Sequence, residues 1–133
     1  MKKFILGLIL FVFFFLSGGV NDSVAKTYPQ MGISYEQALT QKKKFLLLFY
    51  TESCYYCVKF MPNFQKLVRD FGDKYNFVMI NANDMRYLYL FKGYEVDAIP
   101  CLMMLNPSTN KAEKVPRGYY LNYSALSELI SNF

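Results

Sequence analysis

Histidine is absent from all 133 residues, which removes imidazole acid–base chemistry and leaves too few good ligands for an ordinary zinc site. Cysteine is sparse, with only Cys54, Cys57 and Cys101. No internal repeat, low-complexity tract or linker divides the chain, and its length suits one domain with a real core rather than two. Positive charge is in modest excess, 15 Lys and Arg against 10 Asp and Glu, but it is scattered. Its one run, Lys42-Lys43-Lys44, falls where a helix is expected to end, and cations there complement the helix dipole. The charge pattern therefore speaks against a nucleic-acid partner.

One long apolar run stands at the start. Lys2 and Lys3 precede an uncharged stretch from Phe4 to Leu16, and Ser23-Val24-Ala25 then offers small residues at the two positions a signal peptidase reads. We expect a cleaved secretory signal peptide over residues 1–25 and a mature domain over 26–133, exported and periplasmic. The other reading is an uncleaved anchor holding the domain at a membrane, because Phe4 to Val20 is 17 uncharged residues, the short limit for a span. No cysteine lies near Ala25, which argues against a lipoprotein anchor.

The rest of the chain alternates helical and strand patterns. After an extended segment containing Pro29 and Gly32, Ser34-Tyr35-Glu36-Gln37 has the form of a capping box and predicts a helix to about Lys43. Phe45 to Thr51 is continuously apolar, as a strand buried on both faces requires. Val58, Phe60, Met61, Phe64, Leu67, Val68 and Phe71 recur at helical spacing between Cys54 and Gly72, with Pro62 inside predicting a kink. A strand over Tyr75–Asn81 and a short helix from Asp84 through Phe91, stopped by Gly93, follow. Ala98-Ile99-Pro100 leads into a strand over Cys101–Leu105, with a hairpin partner at Lys111–Val115. A last helix is capped by Asn122 or Ser124. The expected class is α/β: a mixed central sheet with helices on both faces.

Cys54-Tyr55-Tyr56-Cys57 is the motif with chemistry in it. A helix opening at Cys54 would set the first sulfur among free backbone N–H groups, at the dipole end that favours a thiolate. The second sulfur follows one turn later, close enough to close an intramolecular disulfide. So short a loop restrains the unfolded chain very little, which makes a redox pair a better reading than a structural staple. Cys54 is then the attacking thiolate and Cys57 the thiol that resolves the mixed disulfide.

This layout resembles the thioredoxin fold over nearly all of residues 26–133. The resemblance rests on Cys-x-x-Cys after the first central strand, Pro62 eight residues beyond Cys54, Ile99-Pro100 before a later strand, and Gly118 ahead of the last helix. Arg117-Gly118-Tyr119 looks like exported thioredoxin-like proteins. The resemblance implies a cis peptide at Pro100, with the Ile99 backbone pairing to an extended substrate segment, and Gly118 in a third loop around the site. The chain departs from the family in three ways. Leu48 and Met79 stand where a buried Asp and a nearby Lys are usual, which leaves Glu52 and water to move the Cys57 proton. Tyr50 and Ser53 replace the two flanking tryptophans, and tryptophan is absent throughout. Tyr-Tyr inside the motif matches neither the reducing Gly-Pro nor the oxidising Pro-His pattern.

The leading expectation is an exported thiol–disulfide oxidoreductase, more a reductase of protein disulfides than an oxidant, also able to act on small-molecule disulfides. It would work as a monomer, without cofactor or metal, and would draw electrons from a membrane thiol-redox partner. Tyr55 and Tyr56 are either a contact surface for substrate or plain surface aromatics. Cys101 is either a small apolar strand residue or an auxiliary thiol near the pair. Other classes stay open: a Cu(I) binder using Cys54, Cys57 and Cys101, a peroxidase built on Thr51-Glu52-Ser53-Cys54, or a non-catalytic interaction module on the same fold.

Overall fold

The computed structural model describes residue 28 and residues 30–133, so the expected leader over 1–25 lies outside the described residues. Helix α1 spans Tyr35–Thr40 and β1 Phe45–Tyr50, followed by the long α2 over Tyr55–Phe71. Strand β2 (Asn76–Asn81) leads through a 3-10 turn at Met85–Tyr87 into α3 (Leu88–Gly93). Strands β3 (Cys101–Asn106) and β4 (Lys111–Lys114) form a hairpin, and a 3-10 turn at Arg117–Tyr119 precedes α4 (Tyr123–Ser131).

The sheet runs β2-β1-β3-β4, with β1 parallel to β2 and antiparallel to β3. All six residues of β1 are buried, because the strand is central and covered on both faces. Alternation along it splits the core in two. Leu46, Leu48 and Tyr50 join Phe60, Phe64 and Leu67 of α2 and Leu126 and Ile130 of α4 on one side. Phe45, Leu47 and Phe49 join Tyr35 and Ala38 of α1 and Leu90 of α3 on the other. Each such side chain contributes roughly 1.5–3 kcal/mol by leaving water, so α2 is held as much by its apolar face as by its own hydrogen bonds.

Local chemistry sets the element ends. Ser34 Oγ accepts the Gln37 N–H at 3.1 Å while Ser34 N–H donates to Gln37 Oε1 at 3.0 Å, a closed capping box. Asn122 is the residue that caps α4, its Oδ1 accepting from Ala125 N–H at 3.2 Å. Two expectations need correcting. Helix α1 stops at Thr40 rather than about Lys43, so the lysine run does not close it. Lys42 instead takes φ 52°, and Lys43 and Lys44 donate to the carbonyls of Asp73 and Phe133. The helix expected from Asp84 is two pieces, because Asp84 caps only the 3-10 turn before α3 begins.

Ahead of α1 the chain lies against the end of β2, where Ile33 N–H donates to the Phe77 carbonyl at 2.9 Å. Gly32, at φ 93°, makes this possible: a Cβ there would stand 2.0 Å from the Phe77 oxygen. Among the described residues no helix is long and apolar enough to cross a membrane.

Candidate functional site

The site forms where β1 ends and α2 begins. Cys54 is the N-cap of α2, and its Sγ accepts the Cys57 N–H at 3.2 Å, doing for the helix what a serine oxygen would. The Cys54 thiol also reaches the Ile99 carbonyl at 3.8 Å. The Ile99–Pro100 peptide is cis. Cys54 is half-buried, whereas Cys57, one turn inward, is only 1% exposed.

That burial decides the chemistry of the second sulfur. The Cys57 thiol is pushed up to about 12, first by burial and then by its hydrogen bond with Cys54, against backbone N–H groups of Thr51 and its own residue. Both cysteines are free thiols here. The pair therefore presents one accessible sulfur at a helix start and one protected, proton-holding sulfur behind it. This arrangement can attack a disulfide and close on itself.

A groove of about 430 Å³ runs beside the pair. Tyr56 and Phe60 of α2 form one wall, Ala98, Ile99 and Pro100 another, and Arg117, Tyr120 and Leu121 the third. Tyr120 is anchored: its ring stacks on Phe60 at 4.5 Å, and its hydroxyl accepts the Leu102 N–H at 2.6 Å. Burial pushes that hydroxyl up to about 12. Arg117 is the one charged residue of the lining, tied to the Ala98 carbonyl at 3.0 Å and to Asp97 at 3.3 Å. Tyr56 stands at the rim, 65% exposed, edge-on to Tyr55 at 5.3 Å, and Lys59 sits over the Tyr55 ring at 4.8 Å.

The structure thus brings Cys54, Cys57, Tyr56, Ile99 and Pro100 together. Tyr55 lies beside the groove without lining it. Gly118, expected at the site, does not line it either; a Cβ there would meet only open space, and its neighbour Arg117 supplies the wall. Cys101 is not beside the pair. It is buried in the core layer on the opposite side of β1 from Cys57, because consecutive strand residues face opposite ways. A three-thiol Cu(I) site is therefore not assembled, and no group of three potential metal ligands occurs among the described residues.

Sequence reasoning missed Phe60, Ala98, Arg117, Tyr120 and Leu121 as lining. Phe60 does follow Tyr56 at helical spacing, but that signal read as core. Tyr120 and Leu121 reach the groove only through the turn that folds Arg117 back onto Ala98, which no local pattern announces.

Comparison with known proteins bears on the whole arrangement. A family model described as Thioredoxin matches residues 26–128. The chain is similar to the chloroplastic thioredoxin-like protein HCF164 of Arabidopsis thaliana, 31% identical over 130 residues covering 92% of this chain and 48% of that protein. It is also similar to the thiol:disulfide interchange protein TxlA of Synechococcus elongatus, 33% identical over 72 residues, 54% of this chain and 38% of that one. The chain thus spans about half the length, or less, of these curated relatives. Among solved structures, the Trx4 domain of ERdj5 superposes with a TM-score of 0.62 at 18% identity, covering 78% of this chain and 96% of that one. Chloroplastic thioredoxin z gives 0.61 at 12% identity, covering 80% and 96%. At such identities these two superpositions speak to the fold alone.

Proposed function

This chain belongs to the thioredoxin family of thiol–disulfide oxidoreductases and has its fold, and we propose that it serves as an exported reductase of protein disulfides. Cys54 attacks a substrate disulfide through its thiolate, one substrate sulfur leaves as a thiol, and Cys54 holds the other in a mixed disulfide. Cys57 then attacks Cys54, the second substrate sulfur departs, and the enzyme is left with a Cys54–Cys57 disulfide. Electrons from a membrane thiol-redox partner reset the pair. An extended substrate segment lies along Ile99 and Pro100 with an apolar side chain in the groove by Tyr56.

The observation that carries this reading is the contrast at the α2 N-terminus: a half-buried Cys54 Sγ accepting the Cys57 N–H, and a Cys57 thiol sealed behind it. The reducing direction is supported by what surrounds the pair. Oxidants of this type owe their potential to a strongly stabilised thiolate in the reduced form. Here the motif contains no histidine to stabilise such a thiolate. The family match beginning at residue 26 fits a leader over 1–25 and a functional domain over 26–133.

Two measurements test it. Cys54→Ser abolishes disulfide exchange, and Cys57→Ser accumulates a covalent mixed disulfide with a protein substrate, seen by mass spectrometry. Equilibration with glutathione gives a reduction potential below about −230 mV, on the reducing side of glutaredoxins. Exchange activity in the Cys54→Ser, Cys57→Ser double variant equal to that of the wild type ends the redox reading. A potential near that of strong oxidants reverses the direction.

A further inference from the structure

The groove beside the redox pair carries a charge that thiol exchange itself does not need. Tyr56, Phe60, Ile99, Pro100 and Leu121 give it apolar walls, with Tyr56 and Leu121 exposed at the rim. Arg117 stands among them, its side chain half-exposed. Only Nη2 of the guanidinium is engaged, donating to the Ala98 carbonyl at 3.0 Å and to Asp97 Oδ1 at 3.3 Å. Nε and Nη1 donate to no group among the described residues, which leaves most of the fork open to a carboxylate. Asp97 does not fill that role. Its contact is long and its side chain is 77% exposed, so the pair is weak and easily exchanged for another acid.

The other charges at this end of the molecule are positive or already bonded. Lys59 sits over the Tyr55 ring at 4.8 Å, Tyr55 is edge-on to Tyr56 at 5.3 Å, and no carboxylate pairs with Lys59 among the described residues. Glu52 is held by Asn81, whose Nδ2 donates to both carboxylate oxygens at 2.8 and 2.9 Å. An acidic partner thus meets one open cation in the groove and another beyond its rim, with no free acid opposing it.

The backbone fixes where such an acid would fall. Arg117 holds the carbonyl of Ala98, the residue just before Ile99, and the Ile99 carbonyl meets the Cys54 thiol at 3.8 Å. A segment lying along Ile99 and Pro100 therefore passes Arg117 within a residue or two of the sulfur under attack. Alternate side chains of an extended segment share a face, so the residue two along from the reacting cysteine turns toward the protein with it. We propose that the site prefers protein disulfides whose extended segment carries a carboxylate two residues from the reacting cysteine, with Arg117 as the residue that reads it. This deepens the exchange reaction above and rests on it.

The test compares symmetric disulfides of two apolar peptides that differ only in Glu or Gln two residues from the cysteine. The full chain, reduced beforehand, is mixed with each, and the second-order rate is divided by that of dithiothreitol with the same peptide, which removes the effect of charge on the disulfide itself. At low salt the wild type should favour the Glu peptide about fivefold, the scale of one partly exposed ion pair, and the preference should fall at high salt. Arg117→Gln should bring the ratio to about one while leaving the Gln peptide within about threefold of its wild-type rate, a split that mere loosening of the Ala98 loop would not produce. Lys59→Gln should keep the preference within about twofold, because a bound carboxylate and not a general basic field is being read. Oxidised glutathione, which has carboxylates but no extended apolar segment, should react equally with the wild type and Arg117→Gln within about twofold. Equal Glu and Gln rates in the wild type, a full preference in Arg117→Gln, its complete loss in Lys59→Gln, or a fivefold loss for glutathione each overturns the proposal. Should Arg117→Gln fail to fold, Arg117→Lys decides: a point charge without the fork should at least halve the preference, and an undiminished one overturns it. Failure to reduce either peptide sinks the exchange reaction too; equal reduction of both sinks the selectivity only.

Discussion

Cys54 and Cys57 are three residues apart and occupy opposite environments, and one helical turn accounts for the difference. Placing the first at the N-cap leaves its sulfur half-buried beside the Ile99 carbonyl; placing the second on the inner face of α2 carries it into the core with Phe60 and Met61. The groove around them is apolar apart from Arg117, so binding at its Tyr56 wall depends on area rather than on charge pairing. Tyr56 offers the largest exposed ring of that lining. Tyr56→Ala should therefore raise KM for a protein disulfide about fivefold with little change in kcat, the pattern of lost uniform binding. Gly118→Ala should leave both constants within about twofold, since the added methyl meets open space at an unstrained backbone. Steady-state kinetics on one protein substrate checks both. The redox pair was readable from the sequence because its spacing alone carries the chemistry. Arg117 was not, because its place depends on a chain turn that brings distant segments together.

At the scale of elements, what could be read was what local chemistry decides. The capping box at Ser34 and the cap at Asn122 involve residues three apart, so their signals survive in a single window. The end of α1 does not. Lys42 turns the chain out of the helix at φ 52°, and Lys43 and Lys44 then meet carbonyls at Asp73 and Phe133, partners no window contains. Glycine shows the same divide in energetic form. Gly32 carries the segment bearing Tyr28 past the Phe77 carbonyl at a positive φ, with no room for a side chain. Gly32→Ala combines backbone strain with a direct clash and should cost about 2 kcal/mol or more. Gly93, at the end of α3, has nothing within 4 Å of a built Cβ and no positive φ. Gly93→Ala should add roughly 0.4–1 kcal/mol by restricting the unfolded chain. Urea midpoints of the two variants should move in opposite directions from the wild type.

Over the whole molecule, the titratable groups divide by depth, and the division predicts how stability responds to pH. The carboxylates whose pKa values are lowered lie at the surface, Asp70 and Asp84 bonded to arginines and Asp97 held first by a backbone N–H and then by Arg117, where solvent screens the interaction. Losing those contacts in acid should cost little. The buried groups shift the other way: Cys57 from 9.0 and Tyr120 from 10.0, each to about 12, with Cys101 and Tyr35 also raised, burial being the first cause in every case. Each keeps its proton in the folded chain at pH values where the unfolded chain has released it. Their contribution is therefore complete below about pH 9 and is lost as pH rises through the folded values. Each group steepens the fall by at most about 1.4 kcal/mol per pH unit. Urea unfolding should accordingly show a nearly flat stability from mildly acid to neutral pH and a steep decline above about pH 9. Closing the Cys54–Cys57 disulfide removes the Cys57 proton from the balance, so the oxidised protein should decline less steeply than the reduced one by up to one proton's worth of slope. Equal alkaline slopes for the two redox forms would mean that Cys57 is not the buried, proton-holding thiol on which the resolving step depends.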